Sequence, residues 1–207
     1  MTARTQGKLF VISAPSGAGK TTLVREIMAA NPGLRFSVSY TTRNKRHNEV
    51  QGEHYHFVGH TEFAEMVAQG AFLEYADVFD NKYGTTRHEV SELLQAGHNV
   101  ILEIDWQGAD QVRRNMPECE SIFILPPSLA ALEHRLRGRA TDSHAVIARR
   151  LADSLDDVTH WADFDFAVVN DELKHATAAL QDIIAGRGDV SRTTNATVKS
   201  IAKQLLN

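Results

Sequence analysis

Gly19, Lys20 and Thr21 have the types and the spacing of residues that bind the phosphates of a nucleotide. Gly19 ends the segment 13–19, which holds only small residues and one proline and cannot continue a strand. The backbone N–H groups of such a loop can turn inward around a polyphosphate, because glycines tolerate the dihedral angles that this needs. The lysine would reach the β- and γ-phosphates, and the threonine hydroxyl would be a ligand of Mg²⁺.

The residues on either side of this loop predict a strand before it and a helix after it. The run 9–12 is apolar and rich in β-branched and aromatic residues, and four apolar residues within 23–28 recur at helical spacing. This is the context in which the Gly-Lys-Thr pattern predicts a phosphate site, and the helix adds its own N–H groups and dipole. Ala14 occupies the position of the usual first glycine. The alternative is a glycine-rich turn that only joins a strand to a helix.

The composition indicates a single soluble α/β domain. The chain has 207 residues, of which 43% are hydrophobic and 23% are charged, and this suits one core. The net charge of −4 gives no broad attraction to nucleic acids, so arginines would have to act locally. Cys119 is the only cysteine, which excludes an internal disulfide and fits a reducing compartment.

No segment of the sequence predicts membrane insertion or export. There is no apolar run near the roughly 20 residues that a membrane span needs. The residues before the first strand lack the apolar region of a signal peptide. We therefore expect a cytoplasmic protein without a membrane partner.

The amphipathic segment 198–206 could pack on its own domain or on a second copy of the chain, so the sequence is compatible with a homo-oligomer.

Apolar runs that alternate with helical patterns predict a parallel sheet with helices on both faces. The runs 100–104, 122–125 and 166–169 are nearly continuous, as in strands that are buried on both faces. Ligands of such sheets bind beyond the carboxyl ends of the strands, where we expect the glycine loop, Asp105 and Asn170. Helical spacing marks the segments 90–94, 129–136, 143–155, 173–185 and 198–206.

The segment between residues 36 and 85 departs from this alternation. Its patterns predict short strands at 36–40, 54–58 and 72–79, a brief helix near 61–67 and a turn at 80–84. We interpret it as a substrate-binding lobe inserted into a single domain that spans 1–207.

The polar residues of this lobe suit a small phosphorylated acceptor that carries a base. Arginine pairs and tyrosine hydroxyls bind a phosphate dianion through charge-assisted hydrogen bonds. A glutamate accepts from ring N–H and amino groups, which would distinguish a guanine edge from adenine. The candidates are Ser39, Arg43, Arg46, Glu49, Tyr55, Glu74, Tyr83 and Thr85.

Several motifs, in order along nearly the whole chain, resemble the guanylate kinase family. They are SAPSGAGKTTL, SVSYTTR with the Arg, Glu and Tyr that follow it, FLEYA, YGT, LEIDWQGA, SIFILPPS, RLRGR and VVND. The resemblance implies transfer of the γ-phosphoryl group of ATP to GMP or dGMP with Mg²⁺, in purine nucleotide metabolism and GMP recycling. It also implies a P-loop kinase fold with a core (1–35, 86–136 and 158–207), a GMP-binding lobe (36–85, a short mixed sheet) and a helical lid (137–157).

The same resemblance implies roles for particular residues. Lys20, Arg43, Arg139 and Arg150 would be catalytic, the last two as lid arginines on the transferring phosphoryl group. Thr21 would be the metal ligand. ATP would contact Ala14, Pro15, Ser16, Gly17, Ala18, Gly19, Lys20, Thr21, Thr22, Arg135 and, near the adenine, Asn170. GMP would contact Ser39, Arg43, Arg46, Glu49, Tyr55, Glu74, Tyr83, Thr85 and Asp105, the last lying near both the guanine and the water network of the metal.

Three positions depart from the family pattern. Lys45 stands where a proline is common, Asn48 where a glycine is common, and Ala140 where a glycine is frequent. All three are at loop or hinge points, so they bear on loop geometry and lid motion more than on the chemistry.

Other interpretations of the same residues remain at this stage. The chain could phosphorylate a different acceptor, such as a phosphorylated sugar, which would not need the base-reading Ser39, Glu74 and Thr85. It could instead be a non-catalytic binding module, although such modules tend to lose the loop lysine. Arg43 and Arg46 could belong to a solvated basic loop, Asp105 could be a helix cap, and Arg137 and Arg149 could form surface ion pairs.

Overall fold

A computed structural model describes residues 6–78, 80–138 and 144–206, with the side chains of 144–147 left aside. The strands are β1 (Leu9–Ser13), β2 (Leu34–Phe36), β3 (Tyr40–Thr41), β4 (His56–Phe57), β5 (Phe72–Val78), β6 (Asn81–Thr86), β7 (Asn99–Glu103), β8 (Glu120–Leu125) and β9 (Phe166–Val169). The helices are α1 (Lys20–Ala30), α2 (His60–Ala68), α3 (Arg87–Gln95), α4 (Trp106–Asn115), α5 (Leu129–Arg137), α6 (His144–Thr159), α7 (Leu173–Ile184) and α8 (Ala196–Leu206). Short 3₁₀ helices cover His160–Asp163 and Asp189–Ser191.

The chain divides into two compact units. The first comprises residues 1–9, 33–102 and 107–119, and the second comprises 10–32, 103–106 and 120–207. Arg139 and Ala140 lie outside the described residues, so the expectations for this arginine and this departure are not addressed by the structure.

The first unit contains a parallel strand pair and a mixed sheet. β2 pairs in parallel with β7, with Leu34 opposite Asn99. The mixed sheet has the order β4-β3-β6-β5, in which β3 is parallel to β4 and antiparallel to β6. β5 and β6 form an antiparallel hairpin whose register shifts between Phe72 and Glu74. An aromatic cluster covers the sheet, because Phe63 of α2 stacks on Phe72 with ring centroids 4.5 Å apart.

The second unit is built on three parallel strands. β1 pairs with β8 and β8 pairs with β9, with Phe10 opposite Glu120 and Ile122 opposite Phe166. The side chains of 10–12 and 122–125 are fully buried, as expected for strands covered on both faces. α1 packs against α7, α7 against β9, and α6 against α5 and α8. The unit therefore holds the apolar stripes of its helices against a core of nearly continuous apolar strands.

The predicted fold class is confirmed, since parallel strands, flanking helices and a separate small mixed sheet are all present. The prediction of a turn at 80–84 is wrong in part, because β6 runs over Asn81–Thr86. Its residues resemble a turn in composition, but each is paired across the hairpin to β5. The predicted strand 36–40 is also wrong in part. The first strand ends at Phe36, and the next begins only at Tyr40.

Two helices differ from the sequence patterns. α4 was not predicted, because few apolar residues mark its buried face, among them Ala109 and Val112. α6 extends four residues beyond the predicted end, to Thr159. Val158 is fully buried there, so packing in the core favours the additional turn.

Among the helices that the structure describes, none is both long and apolar enough to cross a bilayer.

The tight contact at Gly84 gives a test of the mixed sheet. A Cβ on Gly84 would lie 2.8 Å from the Phe72 ring and 3.1 Å from the Glu74 carbonyl oxygen. We expect Gly84→Ala to lower the free energy of unfolding by about 1–3 kcal/mol, since overpacking forces neighbouring groups to move. Urea titration measures this. Gly33→Ala is the matched control, because a Cβ there meets nothing within 4 Å. Equal stability of the two variants would contradict the prediction.

Candidate functional site

The phosphate loop joins β1 to α1 and has the backbone form that the glycines predict. Gly17 and Gly19 have φ values of 88° and 93°, in the left-handed region that favours glycine. A Cβ on Gly19 would lie 2.4 Å from Nδ2 of Asn170. The loop contains a turn in which the Ala18 N–H donates to the Pro15 carbonyl, 3.1 Å, and α1 begins at Lys20. The nine residues 14–22, which are expected to bind ATP, all lie on this loop or on the first turn of α1.

Side chains from distant elements hold two carbonyl groups of this loop. The Ala18 carbonyl accepts hydrogen bonds from Nδ2 of Asn170, 2.7 Å, and from Nη1 of Arg135, 3.1 Å. Nη2 of Arg135 also donates to the carbonyl of Asn170, 3.0 Å. The Ser16 carbonyl accepts from the Ser154 hydroxyl, 3.1 Å. The structure thus brings Arg135 and Asn170, both expected to contact ATP, directly onto the loop.

Lys20 and Thr21 contact the end of β7. Nζ of Lys20 donates to the Ile104 carbonyl, 2.9 Å, and the Thr21 hydroxyl donates to Oε1 of Glu103, 2.5 Å. Sequence reasoning missed Glu103, although it lies in the LEIDWQGA motif. A hydroxyl and a carboxylate are oxygen donors of the kind that Mg²⁺ takes together with substrate phosphates. No cluster of three or more His, Cys, Asp or Glu that could hold a metal alone occurs in the part of the chain that the structure describes. The Thr21 hydroxyl and the Glu103 carboxylate fit a Mg²⁺ site that substrate phosphates would complete.

A cavity of about 330 Å³ opens beside the loop. Its volume is within the range of small-molecule pockets. It presents amide, carboxylate and guanidinium groups next to an apolar side chain, which suits a flat heteroaromatic ring with polar edges. The lining residues are Gly17, Gly19, Thr22, Arg135, Asn170, Asp171 and Leu173.

An acidic cluster lies at the carboxyl end of β7. Burial, and then the nearby charge of Asp105, raise the pKa of Asp157 to about 6, although a hydrogen bond from Trp106 acts in the opposite direction. The Trp106 ring stacks on His160 with centroids 3.6 Å apart. Asp105 is half-buried within this cluster. Sequence reasoning missed Asp157, because one aspartate among several on α6 gives no distinguishing pattern.

The remaining arginines near the predicted lid differ in their contacts. Arg150 lies half-buried on α6. Arg137 pairs with Glu133, with 2.5 Å between Nη2 and Oε1, and Arg149 lies 4.0 Å from Asp153. The alternative of helix-surface ion pairs therefore describes these last two residues.

In the first unit, Glu49 organises the basic loop. Its carboxylate accepts two hydrogen bonds from Arg43, 2.7 and 3.1 Å, and a third from the backbone N–H of Arg46, 2.8 Å. These bonds, with that from Arg43 the largest influence, lower the pKa of Glu49 to about 2. The carboxylate is therefore ionised throughout the neutral range. Glu49 with its bonds to Arg43 and Arg46 is called the clamp below. The side chains of 44–48 are nevertheless exposed, so the clamp orders the loop without removing it from solvent.

Two tyrosines expected to bind the GMP phosphate lie beside this clamp. The Arg43 guanidinium is 5.5 Å from the centroid of the Tyr55 ring, and the Tyr55 and Tyr83 rings are 5.9 Å apart. A hydrogen bond with Tyr83 is among the influences that raise the pKa of Arg43, after that of Glu49. The structure thus gathers one guanidinium and two phenols in one place, which is the chemistry that binds a phosphate dianion.

The three expected base-reading residues meet on the mixed sheet. Oγ of Ser39 is 3.4 Å from Oγ1 of Thr85. Glu74 of β5 stands opposite Thr85 of β6, and both are buried, with exposed fractions of 4% and 0%. Thr85 lies on the strand between Ser39 and Glu74 in this sheet. Two hydroxyls and a buried carboxylate in this order form an edge that can accept from N–H groups and exchange hydrogen bonds with a carbonyl.

The fold and the phosphate loop place the chain in the P-loop kinase class. A crystal structure of shikimate kinase from Bacteroides thetaiotaomicron has this fold, with a TM-score of 0.51, 15% identity, and coverage of 86% of this chain and 98% of that one.

Comparison with known proteins identifies the family. The guanylate kinase family model matches residues 6–187. Guanylate kinase from Methylococcus capsulatus is 56% identical over 180 residues, 87% of this chain and 88% of the relative. That from Escherichia coli is 50% identical over 181 residues, with 86% and 87% coverage. The crystal structure of guanylate kinase from Anaplasma phagocytophilum aligns with a TM-score of 0.73 and 26% identity over 97% of this chain and 95% of that one.

The chain belongs to the guanylate kinase family. It is an ATP:GMP phosphotransferase, a nucleoside monophosphate kinase. This removes the alternatives of another acceptor and of a non-catalytic module.

The clamp on Arg43 can be tested by removing one charge. Glu49→Gln keeps the shape of the side chain but weakens its bonds to Arg43 and Arg46, so we expect the affinity for GMP to fall about tenfold. The affinity for ATP should not change. Isothermal titration with each nucleotide measures both. Glu53→Gln is the control, because Glu53 is exposed in the same loop. Equal GMP affinity of the two variants would contradict the role given to Glu49.

The raised pKa of Asp157 predicts how stability depends on pH. The folded state holds this proton more tightly than the unfolded state, so stability falls as pH rises from about 4, the ordinary pKa, to about 6. Asp157→Asn removes the cost of ionisation. We expect its Tm without nucleotide or Mg²⁺ to exceed that of the unchanged protein by about 2–4 °C at pH 8, and the difference to vanish at pH 4. A difference that is equal at both pH values would show that the carboxyl does not titrate as described.

Proposed function

We propose that the two clusters divide the substrates of this guanylate kinase between them. GMP, or dGMP, is bound by the first unit, with its phosphate on Arg43, Arg46, Tyr55 and Tyr83 and its guanine read by Ser39, Glu74 and Thr85. The observation that carries this proposal is the edge that half-buried Ser39 forms with the buried residues Glu74 and Thr85, on the same sheet as Tyr83. Asp105, which belongs to the second unit, contributes near the water network of the metal. The segment 36–85 is then the GMP-binding lobe.

ATP is bound by the second unit. Its phosphates lie on the loop 14–22, and its adenine enters the cavity lined by Asn170 and Leu173. The helix dipole of α1 and the inward N–H groups favour the anionic end of the nucleotide. In the division expected from the sequence, this site belongs to the core (1–35, 86–136 and 158–207), parts of which lie in the first unit, and 137–157 acts as the lid.

Mg²⁺ is the cofactor that the family reaction generally requires. Thr21 is its protein ligand, with Glu103 beside it. When bound, the metal neutralises charge on the β- and γ-phosphates. The two side chains would hold the metal together with oxygens of the substrate phosphates.

Catalysis in this proposal is electrostatic. The acceptor phosphate is already nucleophilic, so the reaction needs no general base. Lys20, Arg43, Arg139 and Arg150 stabilise the charge spread over the transferring phosphoryl group, and one arginine can contribute ~10³-fold or more. Donor and acceptor must be held in line and away from water, since ATP would otherwise be hydrolysed. These substrates are cytoplasmic metabolites, which supports a cytoplasmic location.

A selectivity assay tests the guanine assignment. Glu74→Gln replaces an acceptor with a group that also donates, so one N–H of guanine loses its partner. We expect kcat/KM for GMP to fall at least about 100-fold while the low rate with AMP changes little, so that discrimination shrinks. Coupled assays of ADP formation with GMP, AMP, CMP and UMP measure this.

The matched control is Asp77→Asn, on the exposed side of the same strand, where the carboxylate pairs only with Lys82 among the contacts in the described residues. It should leave the selectivity unchanged. Undiminished preference for GMP in Glu74→Gln would contradict the assignment.

A further inference from the structure

A buried serine outside the predicted site contacts the phosphate loop. Ser154 lies on α6 and is fully buried, and its hydroxyl donates to the Ser16 carbonyl, 138 residues earlier in the chain. A serine inside a helix commonly bonds to the carbonyl four residues before it. The bond of Ser154 instead leaves its own helix, so it joins two separate elements.

The Ser16 carbonyl, which accepts this hydrogen bond, belongs to a loop whose peptide groups must be oriented to bind an anion. Backbone N–H groups can converge on phosphates only where the carbonyls between them point elsewhere. Ser16 and Ala18 are two residues apart, and both carbonyls are occupied by donors from other elements. A carbonyl without such a donor can rotate towards the bound anion, where its partial negative charge opposes binding.

The position of Ser154 on α6 links it to an arginine. Arg150 precedes Ser154 by four residues, so the two side chains share one face of the helix. The hydrogen bond to Ser16 therefore fixes the face of α6 that carries Arg150 against the phosphate loop.

We propose that Ser154 is a positioning residue that keeps the Ser16 carbonyl turned away from a bound triphosphate and registers α6 on the loop. The inference rests on the proposed binding of ATP phosphates by this loop. Its expected signature is a loss of affinity for polyphosphate, with GMP binding unaffected.

The direct test is Ser154→Ala with inorganic tripolyphosphate as the probe. The variant removes one oxygen, and alanine is a better helix former than serine, so the fold should persist. We expect the Kd for tripolyphosphate and the KM for ATP to rise roughly three- to tenfold, the change that loss of one hydrogen bond produces. The KM for GMP should change little, and the thermal midpoint should fall by no more than about 4 °C, as the loss of one buried hydrogen bond predicts.

Ser200→Ala is the matched control, because Ser200 is an exposed serine inside α8. It should behave as the unchanged protein in every measurement. Ser154→Cys, which keeps a weak donor at similar volume, should give a smaller rise in both constants, and it replaces the alanine variant if that one does not fold.

Two results would overturn the inference. One is unchanged tripolyphosphate affinity in the Ser154 variants, and the other is equal weakening of tripolyphosphate and GMP binding together with a large fall in Tm, as for a merely structural residue. Failure of the proposed ATP site is distinguishable from both, because tripolyphosphate would then not compete with ATP for the unchanged protein, whatever the Ser154 variants give.

Discussion

The outward direction of two backbone carbonyls is the constraint on which the phosphate loop depends. Glycines in the left-handed conformation permit a tight loop, but they do not determine the direction in which its peptide groups point. Donors on Arg135, Asn170 and Ser154 make that choice by occupying the carbonyls of Ala18 and Ser16. The loop is thus already ordered in the folded protein. Nucleotide binding then loses little conformational entropy in the loop, so more of the interaction free energy contributes to affinity.

In the first unit, hydrogen bonds orient the charged side chain of Arg43 in a comparable way. Arginine side chains lose considerable rotamer freedom when they bind a phosphate. Glu49 holds both nitrogens of the Arg43 fork and the backbone of the same loop, and its lowered pKa keeps this pair ionised. In both units, groups of the proposed sites are held by hydrogen bonds from side chains elsewhere in the same unit. Such preorganisation suits a reaction whose catalysis is mainly positioning and electrostatic stabilisation.

The sequence predicts those features that have a local pattern. Apolar runs mark β1, β8 and β9, and the spacing of glycine, lysine and threonine marks the loop, because each signal lies within a few residues. β6 was missed because its composition resembles a turn and only pairing with β5 makes it a strand. The sequence did not predict the roles of Ser154, Glu103 and Asp157. Each depends on contacts with residues far away in the chain, and a single polar residue gives no local pattern that indicates such contacts.

The most direct measurement of the central claim is a pair of crystal structures, of the ligand-free protein and of its complex with a non-hydrolysable ATP analogue. We predict that the Ser16 and Ala18 carbonyls accept from Ser154 and Asn170 in both, and that the loop backbone differs by less than about 1 Å. A loop that rearranges by more than about 2 Å on binding, or an Asn170 amide that leaves Ala18 for the adenine, would contradict a phosphate site that is shaped before its ligand arrives.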